Sequence, residues 1–260
     1  MKTGRVFMAI QALDRALDVL ILLSENKGEM GISEIAREMD MHKSTIHRTL
    51  LTLEEKGFIK QNPENEKYWL GLRLYSIGMS FDAQMSIKST IRPFAQALHN
   101  EFREVVNVSS LEQTDPYHPK SVIILKVEGA EQILRVNPPV GSSSECHCSS
   151  VGKCLLAFSG SVDFAAYQMT PLTAYTENTI TQWPEFRKTL DDVRRQGYAL
   201  DIDEQEIGLT CIGAPILDNN RSAIAAISLS GPTQRMKAGD FHYKISRVME
   251  TAAKISAALR

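Results

Sequence analysis

An α+β protein in two parts is what this sequence predicts, and three observations predict it. Residues 9–71 hold three amphipathic helical patterns followed by a short hairpin. Residues 72–88 continue as helix with no strand pattern. From residue 89 to 260 strand and helix patterns alternate, and the polar turn Asp218-Asn219-Asn220-Arg221 makes two late strands antiparallel neighbours.

The elements follow in order. Leu13, Ala16, Leu17, Leu20 and Leu23 recur at helical spacing over residues 11–24, and Asn26, Lys27 and Gly28 end that helix. Ser33 reads as the N-cap of a second helix that buries Ile35, Ala36 and Met39. Asp40-Met41-His42 turns the chain into a third helix over residues 43–56, which Gly57 stops. Strands at 58–61 and 67–70 flank the turn at 62–66. Three helices and a hairpin large enough to be a wing are the order of a winged helix-turn-helix. Residues 72–103 are read as helical, with breaks near Gly78 and Pro93, which makes 72–88 a linker helix. Strands are expected at 105–112, 121–128, 132–137, 210–217 and 223–230, and helices at 149–158, 162–168, 183–197 and 241–259.

Composition narrows the classes. A chain of 260 residues with 43% apolar and 23% charged residues is an ordinary soluble globular protein, long enough for two domains. The net charge of −2 means that any nucleic-acid site is a local patch and not a global field. The apolar stretch at 19–23 is far shorter than a membrane span needs, and no signal peptide is read at the start, so a cytoplasmic location is expected. Four cysteines do not make a disulfide scaffold.

The third helix carries the first candidate site. Its segment MHKSTIHRTLLTL has no acid and offers Lys43, Arg48, His42 and His47, with hydroxyls at Ser44, Thr45, Thr49 and Thr52. Ile46, Leu50 and Leu53 form one buried stripe at i, i+4 and i+7, and Ser44 and Arg48 lie opposite it, flanked by Thr45 and His47. Such a face suits a major groove: an arginine bonds guanine bidentately, and hydroxyls bond phosphates or base edges. Lys43 and the helix start would contact phosphate, and Lys60 and Lys67 on the wing would add phosphate or minor-groove contacts. A solvated surface face accounts for the helix taken alone. Leu51 also falls toward the outer face.

These residues resemble the IclR family of bacterial regulators. The resemblance runs from Gln11-Ala-Leu-Asp-Arg-Ala-Leu through Ile32-Ser-Glu-Ile-Ala and Lys43-Ser-Thr-Ile-His-Arg-Thr-Leu to Leu53-Glu-Glu-Lys-Gly-Phe. It continues in Ser149-Ser-Val-Gly-Lys-Cys-Leu-Leu-Ala, Gly208-Leu-Thr-Cys-Ile-Gly-Ala-Pro and Ala226-Ile-Ser-Leu-Ser-Gly-Pro, so it covers nearly the whole chain. It implies a winged-helix reader of double-stranded operator DNA, a linker helix and a GAF-like α/β effector-binding domain. Members are dimers or dimers of dimers, often repressors and sometimes activators; a repressor is the expectation here.

The second candidate site lies in the C-terminal part. The loop Gly141-Ser-Ser-Ser-Glu-Cys-His-Cys-Ser-Ser leads into the helix starting near Ser149, where free N–H groups and serines attract an anion such as a small carboxylate. Plain N-capping by serine accounts for the same pattern. The resemblance makes Ser150, Val151, Asp201, Leu209, Cys211, Ser228 and Ser230 the effector-pocket residues. Ser228 and Ser230, two apart on a strand, share a face. These serines and Asp201 either meet a polar ligand or satisfy one another.

Cys146, His147, Cys148 and Cys154 are the remaining cluster, and they suggest a metal- or thiol-responsive alternative. Cys-His-Cys is not a structural-zinc spacing, and a fourth ligand such as Cys211 would come from a distant strand. A catalytic reading would use Cys148 or Ser149 with His147, but sequence neighbours point apart. Asp191-Asp192 reads as a solvated helix face. No metal, no cofactor and no enzymatic activity are expected.

Overall fold

A computed structural model describes residues 10–26, 28–129 and 138–260, so the strand expected at 132–137 lies outside the described residues. The chain divides at Met85/Ser86 into two units.

In the first unit, α1 (Gln11–Glu25), α2 (Ile32–Glu38) and α3 (Lys43–Glu55) close around Val19, Leu23, Ile35, Ile46 and Leu50. Each such side chain contributes about 1.5–3 kcal/mol by leaving water. Strands β1 (Ile59–Gln61) and β2 (Tyr68–Leu70) pair to form the wing and add Ile59 and Tyr68 to this core, and a Met30–Tyr68 bridge ties β2 to the segment before α2. Gly57 ends α3 with φ +75°, and the Phe58 N–H bonds back to Leu53 O at 2.9 Å.

Three expectations need correcting in this unit. Ser33 is not the N-cap of α2: Gly31 is, and the Glu34 carboxylate accepts its N–H at 2.6 Å. Leu13 and Leu17 do not join the core, because α1 packs through its Val19 and Leu23 side, and both remain about half exposed at 55% and 50%. The helix expected at 72–88 is α4 (Leu72–Gln84), which runs unbroken past Gly78 and stops at Met85. A glycine inside a helix costs about 1 kcal/mol but does not by itself interrupt the hydrogen-bond ladder.

The second unit is built on an antiparallel sheet ordered β5-β4-β3-β8-β7-β6 among the described residues. Its strands are β3 (Val105–Glu112), β4 (Lys120–Val127), β5 (Ser143–Glu145), β6 (Ala199–Ile202), β7 (Leu209–Leu217) and β8 (Ala223–Pro232). One face buries Val106, Val108, Ile212, Ile227 and Leu229 against α5 (Ile87–Phe102) and α10 (Phe241–Ala258). The other face is covered by α6 (Ser150–Ala157) and, beyond it, α8 (Trp183–Gln196), whose Phe186, Leu190 and Val193 pack with Leu155 and Leu156. Short helices α7 (Phe164–Tyr167) and α9 (Thr233–Lys237) complete the unit.

Pro93 does not break α5. It sits on the exposed side, where water can satisfy the carbonyl that proline leaves unpaired. Strands β5 and β6 and helix α9 have no counterpart in the sequence expectations.

Candidate functional site

On α3 the apolar stripe points inward and leaves Lys43, Ser44, His47, Arg48, Leu51 and Thr52 exposed, with Thr45 half-buried. No acid stands in the first turn, and His42 makes no side-chain bond to the helix start, so its early N–H groups are available to an anion. Thr49 is not on this face. Its hydroxyl is buried, donates to Thr45 O at 3.2 Å and accepts from Arg15 Nε at 3.1 Å. Arg15 of α1 thereby joins Ser44, Arg48 and Thr52 around one groove. Sequence reading missed Arg15 because the helical wheel of α3 contains nothing about its neighbour.

The wing is less basic than its lysines suggest. Lys60 is exposed, with its ammonium 5.9 Å from the centre of the Trp69 ring. The Lys67 ammonium lies 3.8 Å from the Glu34 carboxylate, and the turn carries Glu64 and Glu66.

The pocket of the second unit begins as a polar row across the sheet. Pairing places Asp201 beside Cys211, Cys211 beside Ser230, and Ser228 beside Asn107. Ser109 follows Asn107 two residues along β3, on the same face. On β4 the register jumps, so that Ile123 pairs with Ser109 while Leu125 pairs with Val108. Ile124 is the extra residue of a bulge, which turns Ser121 and Ile123 toward the polar row and Leu125 and Val127 toward the α5/α10 core.

Helix α6 sits directly on this row. Ser149 caps it by accepting the Gly152 N–H at 3.0 Å. A Cβ at Gly213 would stand 2.8 Å from the Ser150 backbone, and one at Gly152 would stand 2.4 Å from Cys146 Cα. Both positions admit only glycine at this separation. Lys153, fully buried, reaches from α6 to Leu200 O at 2.9 Å and pairs with the Glu204 carboxylate.

Between the start of α6 and the sheet is a narrow pocket of about 50 Å³. All seven residues assigned to it from sequence, Ser150, Val151, Asp201, Leu209, Cys211, Ser228 and Ser230, line it. Ser144 and Ser149 of the serine loop line it as well, and so do Asn107, Ser109, Ser121 and Gln205, which were missed. The alternation of polar 107 and 109 with valines 106 and 108 was the available signal.

The hydrogen bonding divides these groups sharply. Ser228 and Ser230 bond each other at 3.2 Å, so neither is left without a partner. Asp201 Oδ1 accepts the Glu204 N–H at 3.0 Å and the Gln205 N–H at 3.4 Å. Asp201 Oδ2, Asn107 Oδ1 and Ser109 Oγ are buried with no partner among the described residues. Burial raises the Asp201 carboxyl to about 7, against the opposing pull of the Glu204 N–H and of Lys153. Burial likewise raises Glu204, and its pair with Lys153 restrains the rise.

The cysteine cluster is inert by comparison. All four thiols are buried and unbridged, and burial raises Cys148 and Cys154 to about 12. His147 Nε2 is engaged with Thr173 O at 2.9 Å, and burial lowers its pKa. Among the described residues no group of three or more His, Cys, Asp or Glu side chains is placed to hold a metal ion. No helix among them is long and apolar enough to cross a membrane.

Comparison with known proteins matches residues 80–257 to the C-terminal domain of bacterial transcriptional regulator IclR, and residues 12–63 to the IclR helix-turn-helix domain. The chain is 31% identical over 233 residues to the transcriptional repressor IclR of Escherichia coli K12, covering 87% of this chain and 82% of that one. It resembles the crystal structure of Thermotoga maritima IclR with TM-score 0.68 and 28% identity, over 96% of this chain and 99% of that one. It also shares its fold with an IclR homolog from Microbacterium hydrocarbonoxydans, crystallised with 4-hydroxybenzoate. That likeness has TM-score 0.77 and 23% identity, over 96% of this chain and 99% of that one.

Proposed function

From the premise that this chain belongs to the IclR family of bacterial transcriptional regulators, we propose that it is a cytoplasmic repressor that leaves its operator when a small carboxylate fills the pocket. The observation that carries the reading is the acid-free stretch 43–53 of α3, whose exposed Ser44, His47 and Arg48 stand opposite a buried stripe. Arg48 reads a guanine in the major groove, with Ser44, Thr45 and His47 beside it. Lys43, Arg15 and Lys60 take phosphates, and Lys67, held near Glu34, contributes less.

Two exposed apolar surfaces support a pair of chains as the binding unit. On α1, Leu13, Leu17 and Ile21 recur every fourth residue and are each half exposed or more, and α4 buries none of its side chains. A second copy of the same chain is the partner that would cover both at once. Half-sites on the DNA are then separated by whole helical turns.

In the pocket, the Ser150 and Val151 N–H groups at the start of α6 receive the carboxylate, with Asp201, Leu209, Cys211, Ser228 and Ser230 shaping the cavity. The 4-hydroxybenzoate bound by the Microbacterium homolog is a carboxylate of this kind. No catalytic role is assigned: the Cys148 thiol stays protonated at neutral pH, and His147 is committed to a backbone carbonyl.

Arg48→Ala tests the reader. Each good bidentate base contact is worth about 1–3 kcal/mol of discrimination. The variant should keep the wild-type melting profile and lose specific footprinting at salt concentrations where the wild type protects its operator. Normal protection would remove α3 from the reading.

A further inference from the structure

We propose that the effector is a short aliphatic hydroxy acid, with its carboxylate at the start of α6 and its hydroxyls bonded to Asp201 on one side and to Asn107 and Ser109 on the other. This rests on the reading of the pocket as a carboxylate site and adds the chemistry of the rest of the ligand.

The argument starts from the three polar atoms without partners. Asn107 Oδ1, Ser109 Oγ and Asp201 Oδ2 line one pocket, and their residues are 8%, 0% and 1% exposed. Asn107 Oδ1 only accepts, so its partner must donate. A carboxylate ligand has no donor to give it, and neither has an alkyl chain. A hydroxyl both donates and accepts. It therefore serves Asn107 Oδ1, Ser109 Oγ and Asp201 Oδ2 alike, and it serves Asp201 whether or not that carboxyl holds a proton.

The span across the sheet and the lining chemistry agree. Asp201 stands on β6 and Asn107 on β3, three strand spacings apart in the sheet order, which is roughly 14 Å between backbones. After the side chains at both ends reach inward, a chain of about four to six carbons spans what is left. No aromatic ring and no cationic side chain lines the pocket among the described residues, whereas seven serines or cysteines do: 109, 121, 144, 149, 150, 211 and 228. With Ser230 the lining holds a further hydroxyl already engaged with Ser228. A flat arene finds no stacking partner there, and a flexible hydroxylated chain finds hydrogen bonds along its length.

Isothermal titration of the full-length chain decides the matter. The probes are 2,3,4-trihydroxybutanoate against butanoate, gluconate against hexanoate, 4-hydroxybenzoate against benzoate, and erythritol as a neutral polyol. At least one aliphatic hydroxy acid should bind tenfold or more tightly than its unsubstituted partner, and erythritol should not bind measurably. Asn107→Leu, which removes the unpaired acceptor at similar volume, should shrink that ratio severalfold by weakening the hydroxy acid and sparing the plain acid. If the variant fails to fold, the wild-type ratio alone decides. Ratios near one overturn the hydroxyl assignment and leave the carboxylate site standing. Erythritol binding as tightly as the acids, 4-hydroxybenzoate binding tightest, or no acid binding at all overturns the proposal, and the last result removes the carboxylate site with it.

Discussion

Asp201 concentrates the chemistry of the pocket in one carboxyl group. Burial takes it from an ordinary 3.8 to about 7, while Lys153 and the Glu204 N–H pull it down and Glu204 pushes it up. Between those two values the folded chain keeps a proton that the unfolded chain has released, so folding stability falls as pH rises through that window. Asp201→Asn keeps the Oδ1 acceptor for Glu204 and Gln205 and removes the titration. Its melting temperature should exceed that of the wild type above pH 7, by about 2–4 °C per kcal/mol released, with the gap closing toward pH 4. Thermal melts of both chains across pH 4–8 measure this; parallel curves would mean that Asp201 is ionised in the folded state throughout. At this scale the sequence was legible where a motif or an alternation marked a residue. Ser150 and Ser230 were found by motif and Asp201 by family resemblance, and all line the pocket. Asn107 and Ser109 obey the same two-residue period but sit among valines, with no motif to single them out. The partners of a hydroxyl are not written in its neighbours: the sequence left Ser228 and Ser230 to meet a polar ligand or to satisfy one another, and they bond each other.

The placement of α6 depends on two glycines and a buried lysine. Gly213 on β7 lets the Ser150 backbone rest against the sheet, and Lys153 ties the same helix to Leu200 and Glu204. Gly213→Ala would push a methyl group to within 3.0 Å of the Ser150 backbone and side chain. Backbone yields less readily than a side chain tip, so the start of α6 must lift. The expected cost is about 1–3 kcal/mol of stability, together with a severalfold loss of carboxylate affinity, because the Ser150 and Val151 N–H groups move with the helix. Calorimetric melting and ligand titration check the two effects; an unchanged affinity would place the anion elsewhere in the pocket. Long amphipathic elements such as α3, α8 and α10 were readable from periodicity alone. Short ones were not, since β5 has three residues and β6 four, too few for a period to show. The bulge at Ile124 is invisible in principle. Ser121, Ile123, Leu125 and Val127 alternate without interruption, and only pairing with β3 reveals that two face the pocket and two the apolar core.

At the scale of the whole chain, a net charge of −2 leaves no long-range field to hold the protein on DNA, so under the proposed function operator affinity depends on a few contacts on α3 and its neighbours. A response of ordinary size is then enough to release it. Coupling of about 1–3 kcal/mol between two sites changes affinity roughly 5–150-fold. Thermodynamic linkage also requires reciprocity: if an acid in the pocket weakens operator binding by some factor, the operator must weaken binding of that acid by the same factor. The tightest acid of the series above provides the test, measured by titration with and without saturating operator, beside operator affinity with and without saturating acid. Equal factors well above one would join the two sites in one switch. A factor of one in both directions would leave a DNA reader and a ligand site on the same chain with no regulatory connection. Unequal factors would point to a change in the number of associated chains between the measurements. That last case connects back to the exposed apolar sides of α1 and α4: if a second copy covers them, dilution below the dimer dissociation constant should abolish operator binding, and raising the concentration should restore both the binding and the reciprocity.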